Sequence, residues 1–415
     1  MPTTPAPASA PSPAATSSDH RSAVLAGFLG WTLDAFDFFL VVMCLTAIAK
    51  DFGVADKRVA LAITLTLAFR PIGALIFGLL ADRYGRRKPL MINLVFYSAL
   101  SVLTGLAPSF TWFLVFRALF GIGMGGEWGV GASLAMEKAP TRLRGMLSGL
   151  LQEGYATGYL LAALAYFVVF PRWGWRPLFF IGGLPALLAI FVRYRVKESE
   201  VWERTRHDTW GELGTAIGSQ WKLFLYLTLM MAGMNFVSHG TQDMYPTFLQ
   251  RDWGFTPQKR AALTAISMVG AIIGGLAVGW FSDRIGRRRA IVMSLVGAIC
   301  VVPLWAFAPS LGLLVLGAFL MQFMVQGAWG VIPAHITELA PDPVRGFLPG
   351  FAYQCGVLVA SSVAYLEAVF ATGRSYAVSM AMMAATVFTF AAIVVALGRE
   401  KKGVEFGAAP AFVPE

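Results

Sequence analysis

Over 415 residues the chain is 57% hydrophobic and only 13% charged, with a mean hydropathy of +0.65. These values exclude an ordinary soluble globular domain and indicate an integral membrane protein. The formal net charge of +10 does not argue for a nucleic-acid partner, because the basic residues cluster in short connectors between apolar spans, where membrane topology accounts for them.

In chain order, residues 1–20 are rich in Pro, Ala, Ser and Thr and lack the basic start and apolar core of a signal peptide, so they are expected to be a disordered tail. Apolar segments follow, each about the 20 residues that cross a bilayer. Twelve are found, near 23–49, 57–81, 89–107, 110–134, 146–170, 176–193, 222–249, 260–282, 290–308, 311–335, 347–370 and 375–397. They divide into a first half at 21–193 and a second at 222–397, with a cytoplasmic linker at 194–221 and a tail at 398–415. An even number of spans puts both termini on one side. Assigning that side to the cytoplasm places 22 of the 33 Lys and Arg there and nine outside, with Arg70 and Arg117 inside spans. That asymmetry fixes the expected orientation. The expected fold is an all-α integral membrane protein of twelve transmembrane helices with both termini cytoplasmic. The three cysteines, Cys44, Cys300 and Cys355, lie far apart in apolar segments and suggest neither a disulfide framework nor a metal site.

Polar residues inside the spans carry the functional expectations. Asp34 and Asp37 of the first span are three residues apart and can share a helix face. At about 1.5 Å of rise per residue, Asp34 lies roughly 16 Å from the inner end of its span, an expensive depth for an ionised acid. Proton carriage suits this pair; neutralisation by a basic partner elsewhere is the structural alternative. Arg70, in FRPIG of the second span, lies at a similar depth, where a guanidinium can grip a carboxylate through two parallel hydrogen bonds. The fourth span holds Arg117 and Glu127, and the fifth holds Glu153. Arg117 can form an ion pair with Asp37, Glu127 or Glu153, and the two glutamates can otherwise titrate.

The seventh span ends in NFVSHGTQDMYPTFL, residues 235–249. Asn235, His239, Gln242 and Asp243 are spaced by three, four and seven residues, so they form one polar stripe. A carboxylate facing lipid near mid-depth costs about 2.5–3.5 kcal/mol, which turns the stripe toward the interior. A helix-packing cluster is the simpler alternative, and His239 with Asp243 one turn away favours function over it. Gln354 of the eleventh span can reach the same cavity. Glu367 is expected to snorkel outward, and His335 to be structural or solvated.

The chain also repeats. GLLADRYGRRK at 78–88 recurs as GWFSDRIGRRR at 279–289, and the same offset of 201 residues maps Trp128-Gly129 onto Trp329-Gly330, Glu137 onto Glu338, and Arg144-Gly145 onto Arg345-Gly346. Two parallel six-helix repeats around a central cavity are a transporter architecture. Gly78, Asp82, Arg83, Gly85, Arg86, Arg87 and Lys88 resemble the loop signature of the major facilitator superfamily, repeated with Asp283 and Arg284 in the second half. The resemblance implies a gate in which Asp82 closes against the start of the eleventh span near Arg345, and Asp283 against the start of the fifth near Arg144. A topology anchor is the alternative.

Asn235, Ser238, His239, Thr241, Gln242, Asp243 and Thr247 are similar to the pattern N-x-x-[ST]-H-x-[ST]-Q-D-x-x-x-T of the sialate:H+ symporter family, above all its Jen-type lactate permeases. The stretches around Trp31, Asp34 and Asp37 and from Leu150 to Tyr159 resemble the same branch, whereas Val357 stands where the Jen-type Y-Q-L-G-N pattern has Asn. The resemblance implies carriage of monocarboxylates such as lactate and pyruvate together with protons. The expected partners are therefore a small organic-acid anion, a proton and the lipid bilayer, with no cofactor, metal or nucleic acid, in a monomer of a bacterial inner membrane. Arg70, Asn235, His239, Gln242 and Gln354 are the expected substrate groups, and Asp34, Asp37, His239, Asp243, Arg117 and Glu153 the pool for proton coupling. Another organic acid, sialic or aromatic, or a non-transporting nutrient receptor are the alternatives. No nucleotide loop or nucleophile-base arrangement suggests an enzyme.

Overall fold

Apolar runs of this length leave the backbone one economical solution in lipid, the helix, which satisfies its own N–H and C=O groups. The computed structural model describes residues 17–207, 209–242, 245–360 and 375–407, and every regular element among them is helical. The first half comprises α1 (Ser17–Phe52), α2 (Asp56–Tyr84), α3 (Arg87–Gly105), α4 (Phe110–Lys138), α5 (Arg144–Gln152), α6 (Gly154–Trp173), α7 (Arg176–Ile181) and α8 (Pro185–Arg195). Two short helices, α9 (Glu200–Thr205) and α10 (Trp210–Ser219), lie in the linker. The second half comprises α11 (Trp221–Gln242), α12 (Tyr245–Arg251), α13 (Pro257–Ile285), α14 (Arg287–Ala306), α15 (Leu311–Leu339), α16 (Leu348–Ala360) and α17 (Tyr376–Leu397).

Among the described residues eleven segments are long and apolar enough to cross a membrane, and the shorter α16 takes the place of the expected eleventh span. Residues 361–374, with Glu367, lie outside the described residues, as do 1–16, 408–415 and Asp243. Several boundaries differ from expectation for local reasons. The first helix begins at Ser17, inside the segment assigned to the tail. The fifth span is two helices that break at Glu153. The sixth breaks at Gly182–Leu184, where Pro185 starts α8 and withholds an N–H from the preceding turn.

The repeat is visible in the helix ends. Ser109 and Ser310, 201 residues apart, cap α4 and α15 by accepting from the N–H of Trp112 and Leu313. Gly85 and Gly286 end α2 and α13 with φ of 97° and 105°, a region closed to side chains with a Cβ. The halves meet where α2 packs on α16 and α5 on α13. Asp19 pairs with Lys138 at 2.5 Å, and Glu400 accepts from the N–H of Arg288 at 2.9 Å. Both ends of the described chain therefore lie on the face that carries the two repeated loops, here termed the terminal face.

Candidate functional site

A cavity of about 670 Å³ lies between the halves. From the first half it takes Trp31, Arg70, Glu153 and Tyr155, and from the second Asn235, His239, Gln242, Gln322, Gln326, Trp329 and Tyr353. Arg70 is placed there by the tight contact of α2 with α4: a Cβ on Gly125 would collide with the carbonyl of Arg70. Its guanidinium lies 5.9 Å from the ring centres of both Trp31 and Tyr353, while Nε and Nη2 have no hydrogen-bond partner. An arginine 4% exposed on a cavity wall with donors to spare can receive an anion.

The polar stripe of α11 is partly committed to packing. The Asn235 amide donates to the carbonyl of Met231 at 2.7 Å, and Gln242 donates to Gln322 of α15 at 3.1 Å. Asn235, His239 and Gln242 nonetheless reach the cavity. Glu153 does so at the break between α5 and α6, its Oε1 unpartnered and lying against Gly275 of α13.

Four expected site residues lie elsewhere. Asp37 is fully buried away from the cavity wall, in an ion pair with Arg117 at 2.6 Å, and accepts from Ser101. The partner that sequence left open for Arg117 is thus Asp37 and not Glu153. Asp34 is buried beside Arg70 rather than on the wall, and neither of its oxygens has a partner. Gln354 is buried off the wall as well, because its side chain leaves α16 on a face packed in protein. His335 is 0% exposed, which corrects the solvated option. Sequence reading passed over Gln322 and Gln326, four residues apart on one face of an apolar helix; that spacing was the available signal.

Toward the terminal face the cavity ends at an aromatic cluster. Trp128 lies 4.5 Å from Tyr353 and 6.4 Å from Trp31, and Trp329 lies 5.9 Å from Tyr353. Beyond it stand two matching polar clusters. Asp82 accepts from the N–H of Gly346 at 2.7 Å and of Phe347 at 3.0 Å, held by Arg86 at 2.5 Å. Asp283 accepts from the N–H of Gly145 at 2.8 Å and of Met146 at 3.0 Å, held by Arg287 at 2.7 Å. Arg86 also pairs with Glu137 at 3.0 Å, and Arg144 and Arg287 both pair with Glu338, at 3.1 and 3.0 Å. Burial opposes the charge of Arg86, yet Glu137 and Asp82 hold its proton affinity above the ordinary arginine range. Ser133 and Ser148 stitch the helices together, donating to the carbonyls of Arg345 and Gly330 at 2.7 Å each. Gly78 packs directly on Phe347.

Arg83 and Arg284 do not join these clusters. Arg83 donates to the carbonyl of His207 at 3.3 Å, and Arg284 stacks over Trp280 at 3.7 Å, since each leaves its helix one turn before the arginine that faces inward. Arg287, the repeat mate of Arg86, holds the second cluster and was not singled out from sequence. The tail adds an unforeseen strap. Arg144 donates to the carbonyl of Val404 at 2.9 Å, Phe406 lies under both Arg144 and Arg345, and Gly407 donates to Asp342 at 2.8 Å.

Comparison with known proteins places this architecture. A family model described as Sugar (and other) transporter matches residues 22–212, and the Major Facilitator Superfamily model matches residues 243–411. The carboxylic acid transporter protein homolog of Saccharomyces cerevisiae is 28% identical over 421 residues, covering 90% of this chain and 67% of its own. The sialic acid transporter NanX of Escherichia coli is 30% identical over 343 residues, covering 81% of this chain and 84% of its own. The solved proton:xylose symporter XylE superposes with a TM-score of 0.74 at 19% identity, over 95% of this chain and 98% of that one. The chain is a multi-pass membrane transporter that belongs to the major facilitator superfamily.

Proposed function

We propose that the protein carries small monocarboxylates of the lactate and pyruvate class together with protons, in the manner of the Jen-type permeases its α11 motif resembles. Arg70 takes the carboxylate. Asn235, His239 and Gln242 meet the rest of the substrate, while Asp34, Glu153, His239 and Asp243 are the pool from which the proton site is drawn. The observation that carries the reading is the convergence of Arg70 from one half and His239 from the other on one cavity. It is supported by the acids named for two relatives, a carboxylic acid and sialic acid.

Alternating access then follows from the clusters on the terminal face. With Asp82 and Asp283 bonded across the halves, that face is latched, and substrate enters from the opposite side. Release requires both latches to part, with Asp82, Arg86, Arg345, Asp283, Arg287 and Arg144 as the gate. The charge asymmetry of the loops makes the terminal face cytoplasmic.

A larger aromatic or sugar acid is the second reading, favoured by the volume of about 670 Å³ and by Trp31, Tyr155, Trp329 and Tyr353 on its wall. Uptake of labelled lactate into proteoliposomes, in competition with pyruvate, acetate, sialate and benzoate, separates the two. Lactate uptake blocked by pyruvate supports the monocarboxylate reading; uptake blocked only by the larger acids replaces it with the second. Arg70→Ala is expected to abolish uptake of any acid while the protein still purifies as a folded species, and substantial remaining uptake would remove Arg70 from the site.

A further inference from the structure

We infer that Glu127 is the second half of the proton site: Glu127 and Asp34 share one counter-charge, Arg70, and an anion that takes that guanidinium brings one proton with it. The inference rests on the organic-acid and proton reading above. Glu127, on α4, is 0% exposed, and neither carboxylate oxygen has a hydrogen-bond partner; both statements hold equally for Asp34 on α1. The carboxyl of Glu127 lies against the α1 backbone, where a Cβ on Gly30 would come within 3.0 Å of its Cδ.

The ionisable groups facing Glu127 are Asp34 from α1, Arg70 from α2 and Tyr97 from α3. Tyr353 of α16 faces Arg70 and Asp34, and Glu153, at the α5–α6 break, lies against Gly275 of α13. On α4 itself Arg117 is committed to Asp37, so that pair cancels and stays outside the count. Tyrosines are neutral at physiological pH. Two acids and one arginine remain, and Arg70 is the member of this trio that reaches the cavity wall.

An uncompensated charge at this depth is expensive. At rest the trio is therefore neutral with Arg70 positive, one acid ionised and one proton on the other. A carboxylate bound to Arg70 adds one negative charge, and a proton on the remaining acid restores neutrality. Release of anion and proton at the other face returns the resting state. Each transported anion thus moves with one proton, and either acid can take it.

The test is anion binding to purified protein as a function of pH, with labelled lactate as probe, in the wild type, Glu127→Gln, Asp34→Asn and the double variant. The amides match the acids in shape, and no hydrogen bond of either acid is lost. On the alkaline limb, linkage requires the dissociation constant of each single variant to rise about tenfold per pH unit. The wild type rises at least as steeply, and the double variant is flat. Purely structural residues would weaken binding equally at every pH. A flat profile for Asp34→Asn alone, or a sloping one for the double variant, overturns the inference. If Glu127→Gln fails to fold, Asp34→Asn still tests the pair, because a flat profile in that variant removes Glu127 from the proton site. A wild type whose lactate binding ignores pH would overturn the proton-coupled reading itself, and this inference with it.

Discussion

Arg117 and Asp37 show what a buried charge does when it is not offered to a ligand. Their ion pair of 2.6 Å lies wholly inside protein, and Ser101 donates to the same carboxylate. Truncating one partner leaves the other charge unpaired at a cost of about 3–5 kcal/mol. Arg117→Gln should therefore lower the unfolding temperature markedly in detergent, and adding Asp37→Asn should recover most of the loss. A double variant no more stable than the single one would contradict the pairing. Arg70 is the opposite case, an arginine with unpartnered nitrogens on a cavity wall. Sequence could single out both arginines and both aspartates, because any ionisable residue in an apolar run demands an explanation. It could not distinguish the pair from the site, since partner choice depends on which helices touch. Gln354 failed for the same reason: its span was legible, but the face on which its side chain leaves α16 was not.

At the scale of helices the repeat carried most of the information. An offset of 201 residues located both loops before any packing was known, and the same offset relates the serine caps and glycine helix ends found in the structure. What it did not reveal are the breaks at Glu153 and Gly182–Leu184, where one apolar run becomes two helices, and the strap at 398–407, whose polar sequence has no period to read. The latch at Asp82 gives the helix-scale prediction. Its carboxylate receives two backbone N–H groups from the turn entering α16, and bonds to a charged acceptor contribute about 1.5–3 kcal/mol each. Asp82→Asn keeps the shape but loses that charge. Hydrogen exchange at Gly346 and Phe347 should then accelerate by about tenfold or more, with α14 little affected as the internal reference. Unchanged exchange at those two amides would show that the bonds do not hold the turn.

On the function proposed above, the whole molecule balances a latched terminal face against a cavity entered from the other side. Each latch joins the two halves through a few bonds on small surfaces: Asp82 to the α16 entry, Asp283 to the α5 entry, and a serine bond beside each. Such contacts can be exchanged as a set when one half rocks against the other, whereas the cores within each half stay packed. The organic acid reading adds a thermodynamic constraint, because an anion and a proton that move together must drive one another. Proteoliposomes holding a trapped pH indicator, given an inward gradient of lactate, test that constraint most directly. The account predicts acidification of the lumen faster than in protein-free vesicles, and no faster than in protein-free vesicles for Arg70→Ala. Lactate entry through the wild-type protein without added acidification, or equal acidification by wild type and variant, would contradict it.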